Sequence, residues 1–234
     1  EYWHLFNQVI GIWEDQEITL SIAVIRENLL ELGGIVQRSG LNPEIIDLNF
    51  FNVANLIEHY LTSEEAKGKN IGIVHLGNET TSIGIFKDGH LRTFINRPIG
   101  AYDFTKQISK HFHATEKDAE ELKRNEPFFF PEPSPEQENL YNYTVIRTTF
   151  STMVREIFGA LENYLSRYRE FSIHEVILSG GGANFQNISV LLGQNLNTVV
   201  RNVSDFYELQ ITGNPAETAD RNSLAPACGA FLRN

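Results

Sequence analysis

The stretch that decides the fold is Val176–Leu192, which reads Val-Ile-Leu-Ser-Gly-Gly-Gly-Ala-Asn-Phe-Gln-Asn-Ile-Ser-Val-Leu-Leu. Val176, Ile177 and Leu178 form a short apolar run, the mark of a buried strand. Three glycines follow, Gly180, Gly181 and Gly182. Asn184 or Asn187 can cap a helix that carries Ile188, Leu191 and Leu192. A strand, a turn without side chains and a helix start make a place where a ligand can touch backbone. Glycine permits close approach and positive φ, and a helix N-terminus offers unpaired N–H groups and the positive end of a dipole. A tight β-α turn without a ligand explains one such glycine; three in a row favour a ligand. The dinucleotide pattern Gly-x-Gly-x-x-Gly is not met, because Phe185 stands at its last glycine.

The chain around this unit is acidic and poor in cysteine. Its 234 residues suffice for one large or two small domains with a real core. A net charge of −11 argues against nucleic acid or an anionic membrane as a direct partner. The single cysteine, Cys228, excludes an intrachain disulfide and suits a reducing cytoplasm. No apolar run approaches the roughly 18 residues of a membrane span, and no signal peptide opens the chain. Residue 1 is Glu and the only methionine is Met153, so a fragment or processed product is expected.

Upstream, Val9–Trp13 and Glu17–Val24 read as two strands joined at Glu14-Asp15-Gln16, the second alternating Ile18, Leu20, Ile22 and Val24. A helix follows with Ile25, Leu29, Leu32 and Val36 on one stripe, ended by Gly40 and Asn42-Pro43. Ile45, Ile46 and Leu48 predict a short strand, and Val53, Ile57, Tyr60 and Leu61 another helix. The charged segment Thr62–Asn70 is the expected domain boundary, dividing 1–61 from 62–234. Ile71–Leu76, Ser82–Phe86 and Leu91–Ile95 predict three antiparallel strands, the last two joined by a hairpin turn at Asp88-Gly89. Tyr102–Phe112 is helical. Thr115–Arg124 is a short charged helix with Thr115 and Asp118 as a capping box. Asn125–Asn142 holds Pro127, Pro131, Pro133 and Pro135 and is a loop, with 115–142 expected as a small inserted subdomain. Phe128-Phe129-Phe130 either pack this loop down or expose a partner patch. Thr144–Arg169 is the longest helix, its stripe Ile146, Phe150, Met153, Ile157, Leu161, Leu165 and Tyr168 read as core. After the glycine unit come a strand at Thr198–Arg201, an irregular stretch Asn202–Asn222 and a small-residue helix Leu224–Leu232. The order β-β-β-α, insert, α-β-α-β-α suits an α/β, ribonuclease-H-like sheet of the actin and sugar-kinase ATPases.

With these residues in hand, the chain resembles the actin-like PilM/FtsA family of type IV pilus assembly and cell-division proteins. Ile71–Phe86 is similar to the family's second phosphate strand-turn-strand. Arg97–Gly100 with the Tyr102 helix, followed by Ala119-Glu120-Glu121-Leu122-Lys123, resembles its Ala-Glu-x-x-Lys region. Leu178–Phe185 resembles its adenosine turn, and Leu224–Ala230 its closing Ala-Pro-rich helix. Arg26–Leu41 with Asn42–Asp47 is similar to the end of its small inserted subdomain. The resemblance implies an actin-like ATPase fold with a small inserted subdomain, its first subdomain missing. It implies ATP or ADP as ligand, at Gly77, Asn78, Thr80, Thr81, Glu120, Lys123, Gly180, Gly181, Gly182 and Asn184. Two departures stand out. No Asp-x-Gly phosphate strand precedes Val9, and His75 replaces the acid of the second phosphate loop. Magnesium favours oxygen ligands, so His75 puts it in doubt.

No residues are expected to be catalytic, and no metal cluster is expected. His111 and His113 are two apart and do not share a helix face. Leu178-Ser179-Gly180-Gly181-Gly182 is not a nucleophile elbow. Glu120 and Lys123 are otherwise a solvated face, and Glu79 would repel a phosphate. The family implies a cytoplasmic scaffold at the inner face of the membrane. Its partner there is a membrane-anchored, PilN-like pilus assembly protein that presents a short cytoplasmic peptide. The alternative is an active Mg-dependent ATPase that moves subdomains in the same machine. A sugar kinase needs a catalytic Asp and a sugar pocket that no residues here supply.

Overall fold

The computed structural model describes residues 2–138, 141–208 and 220–232. Strands β1 (Trp3–Trp13) and β2 (Gln16–Ile25) form an antiparallel hairpin. Its turn is Glu14-Asp15, with φ of 47° and 61° at the two residues, the primed geometry that matches strand twist. The ladder runs from Trp3↔Ile25 to Trp13↔Gln16, so it extends well beyond the alternating residues. Helix α1 (Arg26–Arg38) follows and buries no side chain. The hairpin tip lies against the rest of the molecule: Ile18 packs on the main core, and the Arg169 guanidinium is 3.6 Å from the Glu14 carboxylate. The strand expected at Ile45–Leu48 does not form. These residues run on without regular structure, and Ile45 and Ile46 are exposed. Apolar character alone makes no strand where no edge is offered for pairing.

Helices α2 (Asn49–Leu56) and α3 (Glu58–Leu61) come next. Phe50, Val53, Ile57, Tyr60 and Leu61 bury against Ile71, Ile73, Phe86 and Ile177 of the sheet. The segment 62–69 consists of turns, and its Ala66 is buried in the same core. The sheet itself holds β3 (Asn70–Leu76), β4 (Thr81–Lys87), β5 (His90–Arg97), β6 (Glu175–Ser179) and β7 (Val199–Asn202), in the order β5-β4-β3-β6-β7. Central β3 pairs antiparallel with β4 and parallel with β6, from Ile71↔Glu175 to His75↔Ser179. Every residue of β3 and β6 is buried, because both sheet faces are covered. Ile71, Ile73 and Ile177 face α2 and α3, while Val74, Leu76, Val176 and Leu178 face the other layer, as a period of two requires. The β4–β5 turn has Asp88 at φ 51° and Gly89 at φ 75°, the expected type I′ pair.

The second layer comprises α4 (Ala101–Phe112), α5 (Glu116–Asn125), the one-turn α6 (Pro135–Glu138), α7 (Tyr141–Tyr168) and α8 (Ile188–Leu196). Ile146, Phe150, Met153, Ile157, Leu161 and Tyr168 of α7 are buried as their stripe predicts. Helix α5 begins at Thr115, whose Oγ1 accepts the Asp118 N–H at 3.2 Å. Phe128 and Phe129 are buried in the same core, so they pin the proline-rich loop down and offer no exposed patch. The irregular stretch expected at 202–222 lies outside the described residues at 209–219. Helix α9 (Arg221–Phe231) packs across α2. A Cβ on Gly229 would stand 1.7 Å from the Asn52 carbonyl oxygen, so the small residues of α9 do let two backbones meet.

Candidate functional site

The glycine unit lies at the C-terminal end of β6. Gly180 has φ 88°, and a Cβ there would stand 2.4 Å from the Leu76 carbonyl oxygen. A Cβ on Gly182 would stand 2.4 Å from Leu76 Cδ2. Both glycines are therefore demanded by the turn's own packing on β3. Gly181 is different: a Cβ would meet only Ser223 Oγ, at 3.2 Å. Residues Gly181–Asn184 form a 3₁₀ turn, with the Ala183 N–H donating to the Gly180 carbonyl at 3.0 Å. Asn187 stands at the N-cap position of α8, but neither asparagine side chain makes a capping bond there. The Asn184 amide donates to the Gly181 carbonyl at 3.2 Å, and Asn187 donates to the carbonyl of Phe129 at 3.0 Å.

In front of this turn lies a cleft of about 470 Å³. Its walls are the β3–β4 turn, α5, the Phe128–Phe129 loop, the glycine turn and the start of α9. Of the residues singled out from sequence, Gly77, Asn78, Glu120, Lys123, Gly181, Gly182 and Asn184 line it. Gly180, Thr80 and Thr81 do not. Thr81 is fully buried and donates to the Ile99 carbonyl at 2.6 Å. Thr80 closes the β3–β4 turn by accepting the Gly77 N–H at 3.0 Å. That turn is fastened to α4: Ala101 N–H donates to the Gly77 carbonyl at 2.9 Å and Tyr102 N–H to the Asn78 carbonyl at 2.7 Å. Two of the N–H groups that a helix start would present to an anion are thus engaged.

Lys123 and Glu120 organise the far wall. The Lys123 ammonium, its side chain 6% exposed, pairs with Glu120 and donates to Thr105 Oγ1 at 2.7 Å and the Ala101 carbonyl at 3.3 Å. It also lies 5.7 Å from the Phe185 ring centre, within cation–π reach. Glu120 accepts further bonds from Thr105 at 2.8 Å and Arg124 at 3.1 Å. Burial pushes its carboxyl upward, but the bonds from Lys123, Thr105 and Arg124 outweigh this and hold it below its ordinary range. Both cations of the described lining are therefore engaged with Glu120, while Glu126 and Asp220 add further acid.

His75 does not line the cleft. It is buried, with Nδ1 3.3 Å from Ser179 Oγ, and burial pulls its imidazole down to about 4. At neutral pH it is uncharged. Sequence reasoning missed Asp220 and Ser223, which reach the cleft from the first turn of α9. Asp220 is that helix's N-cap, accepting the Ser223 N–H at 3.0 Å. An Asp three residues before a Ser at a helix start was the available signal.

Among the described residues no helix is long and apolar enough to cross a membrane. The chain is 26% identical over 220 residues to the cell division protein FtsA of Bacillus subtilis (strain 168), covering 86% of this chain. It spans about half the length of that relative, 48%. It superposes on the solved PilM–PilN type IV pilus biogenesis complex with a TM-score of 0.76 at 20% identity, covering 99% of this chain and 66% of that one. MreB5 of Spiroplasma citri bound to AMPPNP superposes with a TM-score of 0.58 at 16% identity, covering 89% of this chain and 65% of that one. The fold is thus the α/β actin-like one. A family model described as type IV pilus assembly protein PilM matches residues 6–234, and the chain belongs to that family.

Proposed function

We propose that this chain is a cytoplasmic scaffold of a type IV pilus inner-membrane platform, one that grips a membrane-anchored, PilN-like partner through that partner's cytoplasmic peptide. The cleft takes ATP or ADP as a conformational ligand and hydrolyses it very slowly or not at all. Gly181, Asn184, Glu120 and Lys123 would meet the base and ribose. When bound, the nucleotide supplies charge and bulk that bias how the surrounding elements sit. The observation that carries the non-hydrolytic reading is His75, buried, neutral and turned to Ser179. It does not offer the oxygen ligand that Mg²⁺ takes, and no step through that ion is derived. The engagement of Lys123 and Arg124 by Glu120 points the same way, because phosphoryl transfer depends on neutralising charge over the phosphates.

The free side of β2 is the proposed seat of the peptide. The hairpin is a two-stranded sheet, and an extended peptide can add to the open edge at 17–24. The domain division is inferred from packing. Residues 49–61 share the sheet's core, which supports reading 1–61 as a remnant of a first actin-like domain whose connecting helix packs on the second, 62–234. Two assays test the reading. Calorimetric titration of the partner's N-terminal cytoplasmic peptide should give saturable binding that a charge on the β2 edge, Thr19→Glu, weakens; no binding to the longest soluble form refutes the scaffold role. A phosphate-release assay with ATP should stay at background with and without Mg²⁺. Robust Mg-dependent turnover, unchanged by His75→Asp, shows that position 75 has been given the wrong role.

A further inference from the structure

Helix α9 contains Pro226 well inside its span, Arg221–Phe231. A proline there has no N–H to give to the carbonyl four residues back. That carbonyl belongs to Asn222. It is not left idle: the Gly180 N–H donates to it at 3.1 Å. The same residue makes a second bond to the glycine turn, from its side-chain amide to Asn184 Oδ1 at 2.9 Å. Asn222 is itself buried, where a backbone carbonyl without a partner would be costly. We propose that Pro226 is a positioning residue for the glycine turn. By withholding one helical hydrogen bond it reserves the Asn222 carbonyl for Gly180, and so fixes the turn that forms the floor of the cleft.

The geometry around the bond supports this division of labour. Gly180 is held at φ 88° against the Leu76 carbonyl, and the β3–β6 register ends one residue before it, at His75↔Ser179, where its N–H turns to Asn222. The clamp also registers the two walls of the cleft. Gly181 and Asn184 lie on one side of it, and Asp220 and Ser223 on the other. With an N–H restored at position 226, the Asn222 carbonyl is shared between two donors. Gly180 then holds its bond less well, while the helix itself is relieved of a breaker. A residue that served only packing would loosen the helix when removed and leave the Gly180 amide alone.

The proposal rests on the nucleotide reading for its ligand clause and not for its structural one, and the experiment separates them. Amide hydrogen exchange by NMR is compared for the parent chain and Pro226→Ala. Exchange at Gly180 should speed up about tenfold, the loss expected for one weakened hydrogen bond, with the amides of Ile73 and Ile177 unchanged and the melting temperature not lowered by more than a few degrees. Binding of a fluorescent N-methylanthraniloyl-ADP should weaken by about the same factor. Unchanged exchange at Gly180 overturns the proposal, whatever the melting temperature does. If Pro226→Ala fails to fold, the parent decides: a through-hydrogen-bond coupling between the Gly180 nitrogen and the Asn222 carbonyl carbon supports the clamp, and its absence refutes it. A parent that does not bind the ADP probe sinks the nucleotide reading alone, and the exchange result still judges the clamp.

Discussion

Replacing Gly229 by alanine should destabilise the protein, although alanine is the better helix former. The added Cβ would stand 1.7 Å from the Asn52 carbonyl oxygen and 2.5 Å from its carbon. An ordinary carbon–oxygen contact is about 3.3 Å, so α2 and α9 must separate by roughly 1.5 Å. The obstructing atoms are backbone and cannot swing aside. Overpacking of this kind costs about 1–3 kcal/mol, with the top of that range expected for a clash against backbone. Helix propensity returns about 1 kcal/mol, leaving a net loss of about 2 kcal/mol. For a chain of this size that is a fall in melting temperature of about 4–8 °C. Gly159 is the control, because it lies mid-way along α7 and a Cβ there meets nothing within 4 Å. Gly159→Ala should gain up to about 1 kcal/mol and raise the melting temperature by about 2–4 °C. Thermal unfolding followed by circular dichroism measures both. If Gly229→Ala melts with or above the parent, the α2–α9 crossing has been misjudged.

Stability should fall as pH drops from 6.5 towards 4. Burial pulls folded His75 down to about 4, so below 6.5 the unfolded chain takes up a proton that the folded one refuses; the loss reaches about 3 kcal/mol near pH 4, and His75→Gln should flatten it in urea titrations across that range. Phe129→Ala should cost about 3–5 kcal/mol, since the ring is buried among Phe104, Phe150 and Phe185; a loss under 1 kcal/mol in the same titration would mean that the loop is not anchored there. Glu120→Gln should destabilise more than Lys123→Met. The first strands an ammonium that is 6% exposed, while the second leaves a carboxylate that is 35% exposed and can hydrate; about 2 kcal/mol against less than 1 is expected after allowing for that exposure. The reverse order in denaturant melts would refute this account of the pair.

The sheet was legible because its central strands, β3 and β6, are buried on both faces. Val176–Leu178 is apolar throughout and Ile71–Leu76 is apolar except at Gly72 and His75, and that pattern left little choice. The stripe on α7 and the Asp88-Gly89 turn were legible for equally local reasons. What could not be read was which surfaces meet. Ile45, Ile46 and Leu48 have strand composition, but no edge lies beside them. Helices α2 and α3 were found from their periodicity, yet nothing local says that their apolar face belongs to the sheet. The glycine run is plain in the sequence as an opening for a ligand; that Gly180 and Gly182 are also required by Leu76 of a distant strand is not. The α9 wall of the cleft depends on tertiary placement and so escaped notice. His75 was picked out by likeness to a family; its burial, which decides its charge, is a property of the folded chain.

The pairing of β3 with β6 also sets a timetable for synthesis. His75 and Ser179, opposite one another in the sheet, are 104 residues apart in the chain. At about 5–20 residues per second, a ribosome that has released β3, β4 and β5, the last ending at Arg97, needs roughly 4–16 s more before β6 at Glu175–Ser179 emerges. In that interval the meander can close on one side of β3 only. The other side of β3, a strand buried along its whole length in the finished fold, waits with its amides and carbonyls unpaired, a template for any neighbouring chain. Nascent chains stalled before β6 has left the ribosome should therefore be captured by holding chaperones, and those stalled far enough on for the glycine turn to have emerged should be let go.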